Sequence, residues 1–223
     1  MNELAPPAPE IARARLAAPP GTSTPGAGVL VLGGADEAEL VLATAERLSC
    51  AGHAALALEL TPAALRSDRV ALRGLARART LLAQRPEVDG ERLFALGFAR
   101  GGTLAFLLAC AERLAGAIDV EGPVLHPELS PENPTQPLEL ALNLEGAFLA
   151  VFAGRSARVP APEIELLRAR LSSAARPFDI VLFPEAGEGF YDRRRPGFDA
   201  RRAADLEGRI LSFLQEISSE SER

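Results

Sequence analysis

The segment Gly97-Phe98-Ala99-Arg100-Gly101-Gly102 lies between an apolar run, Leu93-Phe94-Ala95-Leu96, and a second one starting at Thr103-Leu104-Ala105-Phe106. An apolar strand that turns sharply through glycines into a helix lifts one side chain above the sheet. It also aims backbone N–H groups at the space beside that side chain. Two unrelated chemistries use such a turn. One is a degenerate dinucleotide loop, Gly-x-Ala-x-x-Gly, with Asp119 or Glu121 following at roughly the separation of a ribose-binding acid. The other is a nucleophile elbow, Gly-x-Nuc-x-Gly, whose lifted position is Ala99. Covalent acyl transfer needs a hydroxyl or thiol there, a base within hydrogen-bond reach, and an acid that orients the base. A methyl group has no lone pair to attack with. Dinucleotide loops usually open their domain, whereas two strand–helix units precede this turn, so chain position favours the elbow. The glycines alone decide nothing.

Other residue types narrow the chemistry further. All 24 basic residues are arginine, which excludes a Schiff-base lysine, a lysine base and the lysine of a phosphate-binding loop. The histidines are His53, at a strand start far from the turn, and His126, in a proline-rich segment that follows a strand and so reaches toward it. No group of Cys, His and carboxylates has metal-ligand spacing, and no cofactor is implied. Cys50 and Cys110 are isolated thiols on expected helices, which suits a reducing compartment rather than a disulfide scaffold. Net charge is −6 and the isoelectric point about 5.2, so no overall field attracts nucleic acid or an anionic membrane. The amino-terminal stretch has neither the cationic start nor the apolar run of a signal peptide, and no run approaches the ~20 apolar residues of a membrane span. The expectation is a cytoplasmic protein; a protein partner and self-association are left open.

The elements that must position the turn are legible from periodicity and punctuation. With 223 residues, 48% hydrophobic and 24% charged, the chain has the length and core of an α/β domain. Residues 1–27 read as a Pro/Ala-rich segment, loosely held over 1–9, with an outlying edge strand at 11–18 and a linker from 19 to 28. A single α/β domain is expected over 28–218, followed by a polar tail at 219–223. Within it, strands are expected at 29–32, 54–60, 92–96, 117–120, 147–152 and 178–182. Helices are expected at 37–51, 69–84, 103–114, 162–175 and 199–217, with Gly52 capping the first. Residues 121–145 hold five prolines and read as irregular, with a short helix near 138–142. Such alternation implies a mainly parallel sheet covered by helices on both faces.

Three separated segments decide between the two templates. Residues 85–106 run Arg-Pro-Glu-Val-Asp-Gly-Glu-Arg-Leu-Phe-Ala-Leu-Gly-Phe-Ala-Arg-Gly-Gly-Thr-Leu-Ala-Phe. Gln136-Pro137-Leu138-Glu139-Leu140 leads to Phe152-Ala153-Gly154-Arg155-Ser156-Ala157-Arg158-Val159-Pro160. Phe183-Pro184-Glu185-Ala186-Gly187-Glu188-Gly189-Phe190-Tyr191-Asp192 precedes Arg195-Pro196 and the helix to Phe213-Leu214. In order and spacing these resemble the dienelactone hydrolase family, over about residues 10–217.

The resemblance implies an α/β-hydrolase fold and a triad of Cys (or Ser), Asp and His. It sets the nucleophile at Ala99, the acid at Ser156, three residues before Val159-Pro160, and the base at Glu188, between Ala186-Gly187 and Gly189-Phe190. Where the family commonly has His-Glu after the first core strand, this chain has Gly33-Gly34. The expectation is a dienelactone hydrolase-like protein with its triad replaced, keeping a pocket for a small carbonyl or anionic ligand or for a partner. Gly33, Gly34, Arg100, Arg155, Arg158 and Tyr191 are the candidate ligand-binding residues. The alternative is an ester or lactone hydrolase rewired around Ser156 with Glu188 as base, and a third is a nucleotide-binding protein using residues 97–102.

Overall fold

The computed structural model describes residues 1–19, 25–174 and 176–220. Eight strands form one sheet: β1 (Asn2–Leu4), β2 (Ile11–Ala17), β3 (Gly26–Gly33), β4 (Ala54–Leu60), β5 (Val88–Phe98), β6 (Gly116–Val120), β7 (Ala147–Ala153) and β8 (Phe178–Phe183). Their spatial order is β1-β2-β4-β3-β5-β6-β7-β8, with the β1–β2 and β2–β4 pairs antiparallel and the remaining pairs parallel. Six helices connect them: α1 (Ala38–Cys50), α2 (Pro62–Arg66), α3 (Asp68–Ala83), α4 (Arg100–Ala111), α5 (Ala161–Ser172) and α6 (Ala200–Glu220). The expected mainly parallel α/β architecture is what the chain adopts.

Burial on both faces explains the near-continuous apolar runs of the central strands. In β3, Leu30 and Leu32 face one core while Val29 and Val31 face the other. In β5, Leu93 and Ala95 face the first core, and Phe94, Leu96 and Phe98 the second. Helices α3, α4 and α5 cover the first face; α1 and α6 cover the second. On α3 the buried Ala71, Leu75, Ala78 and Leu82 recur every three or four residues, as do Leu206, Ile210 and Leu214 on α6. That is the stripe a helix presents to a sheet. By contrast α4 is buried nearly all round, from Gly101 to Ala109. It packs between the sheet and the neighbouring α3, so the turn that starts it is held from every side.

Three sequence expectations need correction. Residues 1–9 are not loose throughout, because Asn2–Leu4 pairs as β1 with β2. The strand at 11–18 is not the sheet's edge: β2 pairs with β1 on one side and with β4 on the other. It pairs with the outer edge of β4, and its buried Ile11, Ala14 and Leu16 join one core and Ala17 the other. Helix α2 had no expected counterpart, although Thr61 caps it by accepting from the Ala64 N–H (3.2 Å) and Pro62 occupies its first turn. A five-residue helix is too short to show a period. Strand β5 and the central helix also start earlier than expected, at Val88 and Arg100, and β3 starts at Gly26, two residues before the expected domain boundary at 28. The segment at 138–142 is part of a 3-10 stretch, Pro137–Asn143. Helix α6 runs through Glu220 into the expected tail. Residues 20–24 of the expected linker, 175 of the helix expected at 162–175 and 221–223 of the tail lie outside the described residues.

Strand β3 sits between β4 and β5, so the chain leaves β3 in one direction for β4 and returns on its other side as β5. Such a reversal opens a crevice at the carboxyl ends of the two strands, where α/β sheets place their sites. Gly33-Gly34 ends β3 and Ala99 follows β5, so both flank that crevice.

Candidate active site

Ala99 sits at φ 52° and ψ −125°, a left-sided backbone conformation that costs a non-glycine residue about 1–3 kcal/mol. Its N–H donates to the Val120 carbonyl (2.8 Å), and its carbonyl accepts from the Gly102 N–H (2.8 Å). The two glycines around it have a steric cause. A methyl at Gly97 would overlap the Gly101 carbonyl, and one at Gly101 would overlap the Leu32 carbonyl of β3. The Gly-x-Ala-x-Gly spacing is therefore the spacing of a strand-to-helix elbow. The side chain it lifts is a methyl group, 4% exposed.

Ser156 and Glu188 occupy the loops after β7 and β8, on the same edge of the sheet as the elbow. Ser156 is buried, and its Oγ accepts from the Arg158 N–H (3.2 Å). Glu188 is exposed, and its carboxylate is ion-paired with the Arg158 guanidinium. Arg155 pairs in the same way with Glu185, both largely exposed. Two arginine–glutamate pairs thus staple the loop after β7 to the loop after β8, and the charges of Arg155 and Arg158 are answered within the protein.

Arg100 is engaged within the protein. Its Nε donates to the Leu65 carbonyl (3.0 Å), and its terminal nitrogen pairs with Oδ1 of Asp68. The other oxygen of Asp68 meets Nε2 of His126 at 2.8 Å. Arg100, Asp68 and His126 therefore form one chain of charge-assisted contacts joining the first residue of α4, the first residue of α3 and the segment after β6. His126 does approach the elbow region, but as a structural tie. His53 lies just before β4 at the opposite edge, with its pKa held down by burial and by Arg92.

On the β3 side, the Gly34 N–H, the natural donor to an oxyanion, is occupied by Oε2 of Glu37 (3.2 Å). Oε1 of the same Glu37 pairs with Arg195 (3.4 Å). A methyl at Gly33 would strike Val41 and Glu37, so no space remains against that backbone. Tyr191 is buried, with its ring 5.3 Å from those of Phe98 and Phe190. The cavity bordered by Glu37, Arg158, Glu188, Tyr191 and Arg195 measures about 20 Å³. That is room for about one water, too little for an ester or lactone.

Sequence reasoning weighed Glu121 only as a ribose ligand and missed its place here. It sits at φ 59°, 1% exposed. Its Oε2 accepts from the Gly189 N–H (2.8 Å), while Oε1 is buried without a hydrogen bond. Burial pushes its carboxyl pKa up, and the Gly189 N–H, the Arg158 guanidinium and the nearby Ser156 hydroxyl pull it back. Asp119 is fully buried, accepts from the Gly122 N–H (2.7 Å) and is raised well above the usual carboxylate range, chiefly by burial. Both acids are thus turned into the core and bonded to backbone N–H groups, which is not how a ribose-binding acid is presented. The glutamate-glycine pair directly after a strand was the available signal for Glu121; Asp68 and Glu37 had none. Among the described residues no group of three His, Cys, Asp or Glu is arranged to hold a metal ion. Nor is any helix among them long and apolar enough to cross a membrane.

A mainly parallel sheet with helices on both faces, a strand-to-helix elbow after β5 and functional loops at the carboxyl edge define the α/β-hydrolase fold. Within that class the chain belongs to the dienelactone hydrolase family, whose profile matches residues 61–218. It is 30% identical over 129 residues to an Escherichia coli K12 protein described as a "Putative carboxymethylenebutenolidase", covering 57% of this chain and 47% of that protein. A Yersinia pestis protein of the same description is 31% identical over 127 residues, covering 56% and 47%. The chain thus aligns with about half the length of these curated relatives. Among solved structures, a Klebsiella pneumoniae protein titled "Putative Dienelactone Hydrolase" superposes with a TM-score of 0.85 at 25% identity, over 96% of this chain and 97% of that one. The dienelactone hydrolase-like phosphotriesterase P91 from metagenomic libraries superposes with a TM-score of 0.75 at 22% identity, covering 92% of each chain, a likeness of fold.

Proposed function

We propose that this chain is a non-hydrolysing member of the dienelactone hydrolase family. Ala99 carries the reading: the one side chain the elbow lifts has nothing to attack a carbonyl with. By the family resemblance Ser156 stands at the acid's position and Glu188 at the base's, and neither substitutes for the group it replaces. A serine hydroxyl cannot stabilise a developing cation as a carboxylate does, and Glu188 is held by Arg158. The Gly34 N–H is already satisfied by Glu37, which removes one oxyanion donor. With no nucleophile or base, and with the Gly34 donor taken, the crevice serves as the locked centre of a scaffold. The same reading assigns the chain to a reducing compartment, where Cys50 and Cys110 stay thiols. The curated relatives and the Klebsiella structure carry hydrolase names; their activity is not carried over to this chain.

The test is direct. Purified protein is assayed against activated esters, such as p-nitrophenyl acetate, and against simple lactones and dienelactones, beside its Ser156→Ala and Glu121→Gln variants. The expected rate equals the buffer rate for all three proteins. Turnover by the unmodified chain that either substitution abolishes would overturn the proposal. It would establish a rewired hydrolase, which one observation favours: the raised carboxyl of Glu121 lies beside the Ser156 hydroxyl.

A further inference from the structure

On the second face of the sheet, α1 and α6 enclose a cleft of about 260 Å³. Its origin is in the sequence. Leu206, Ile210 and Leu214 seat α6 on the sheet, but its first turns carry Ala200, Ala203 and Ala204 toward the cleft, and α1 answers with Ala43. Small side chains on both walls fill less space than the helices enclose. The floor is apolar: Leu40, Phe98, the ring of Tyr191, and Ile210. A cavity of about 150 Å³ with such a lining already holds a benzene ring.

The rim is charged, and almost all of that charge is paired. Arg47 meets Glu207 at 3.2 Å; Arg194 meets Asp192 at 3.0 Å and Glu39 at 3.7 Å. Arg193 differs. It lines the same mouth, is exposed, and has no ion pair or hydrogen bond to the described residues. The mouth also receives the first turn of the 21-residue α6, whose amino end is capped by the Asp199 carboxylate, which accepts from the Arg202 N–H (3.0 Å). Arg193 is therefore the rim cation left without a partner among the described residues.

The geometry points to a ligand site in this cleft for a small amphiphilic carboxylate, with its hydrocarbon body on Leu40, Phe98 and Ile210 and its carboxylate at Arg193. The site is separate from the crevice in which the family's triad positions lie, and it does not depend on whether an ester is cleaved there. It is nonetheless coupled to that crevice by shared walls. Phe98 immediately precedes Ala99, and Tyr191 and Asp192 border both the cleft and the small cavity beside Glu188. An occupant would press on the wall that closes the elbow.

Octanoate is the probe, with 1-octanol as its uncharged match, titrated by calorimetry and by melting temperature. Octanoate is expected to bind saturably at one site, to raise the melting temperature, and to exceed octanol in affinity by about tenfold, the worth of one charge-assisted contact. Arg193→Ala should remove that advantage and leave octanol binding unchanged. Ala203→Phe should fill the cleft and abolish both, and Ala43→Leu on the facing wall replaces it if Ala203→Phe does not fold. Arg168→Ala, on α5 at the opposite face of the sheet, should bind octanoate like the unmodified protein. No heat with millimolar octanoate, equal affinity for octanol, or undiminished binding by the filled-cleft variant would overturn the proposal.

Discussion

Replacing Ala99 with cysteine puts a thiol at the apex of the elbow, and its reactivity measures how closed the elbow is. Ala99 is 4% exposed. Uncovering it requires breaking its bond to the Val120 carbonyl (2.8 Å) and loosening the start of α4, in the most deeply buried part of the sheet. If that opening costs only about 4 kcal/mol, modest beside the stability of a whole domain, the thiol is available about one part in a thousand of the time. The native thiols set the scale. Cys50 is exposed, whereas burial pushes the Cys110 thiol up to about 12, so at pH 8 about one molecule in ten thousand carries its thiolate. Ellman's reagent should therefore titrate one fast thiol in the unmodified protein and none in Cys50→Ser. Adding Ala99→Cys to Cys50→Ser should give no second fast thiol, only one at least about a thousandfold slower than Cys50. A circular dichroism spectrum and melting temperature matching the parent's confirm that the variant folds. A thiol at position 99 that reacts as fast as Cys50 in a folded protein would refute the closed elbow.

Two further outcomes follow from the buried charges. Asp68→Ala removes the carboxylate shared by Arg100 and His126 and leaves a half-buried guanidinium unpaired. After discounting for partial exposure this should cost about 2–3 kcal/mol and lower the melting temperature by about 5–10 °C, more than Asp68→Asn does. A shift smaller than about 2 °C would mean the tie carries no stability. Asp119 has a folded-state pKa raised well above 3.8, so its contribution is fullest below the unfolded value and is lost as pH rises through the folded one. Asp119→Asn, which keeps an acceptor for the Gly122 N–H, should therefore gain on the unmodified protein as pH rises from 4 toward 8 in urea unfolding. A difference between the two that does not change with pH would refute this.

The fold was legible because its signal is local. Runs such as Val29-Leu30-Val31-Leu32 admit one placement, a strand buried on both faces, and the Gly-x-Ala-x-Gly turn marks the strand-to-helix junction by a steric demand that only glycines meet. What escaped was set by pairing across the chain. Nothing near Asn2–Leu4 announces that β2 will offer it an edge. The candidate site divides in the same way. The candidate positions Ala99, Ser156 and Glu188 came from the family resemblance, but their partners could not be read from the sequence. Arg100 looks like an anion ligand until Asp68, 32 residues earlier, takes its charge. Arg155 and Arg158 look available until the loop 30 residues later supplies Glu185 and Glu188. Charges that seemed free for a ligand are consumed by contacts that no short motif encodes.

The elbow itself shows why such a turn keeps its shape with a methyl group at its apex. In a working hydrolase the unfavourable backbone angles at the apex are tied to the exposure of the nucleophile, and selection on the reaction would suffice to keep them. Here no nucleophile is present, yet Ala99 keeps φ at 52°. Packing supplies the reason. The Gly101 carbonyl abuts Gly97, Leu32 abuts Gly101, and Oδ1 of Asp119 abuts Gly102, so β3, β5, β6 and α4 meet within one turn. Relaxing Ala99 to an ordinary helical or extended conformation would move the start of α4, whose residues Leu104 to Ala109 are buried among both the sheet and α3. A strain of about 1–3 kcal/mol is smaller than the burial lost by such a shift, at about 0.8 kcal/mol per methylene. The turn persists because it is where the core closes, and that requirement does not depend on the side chain at its apex.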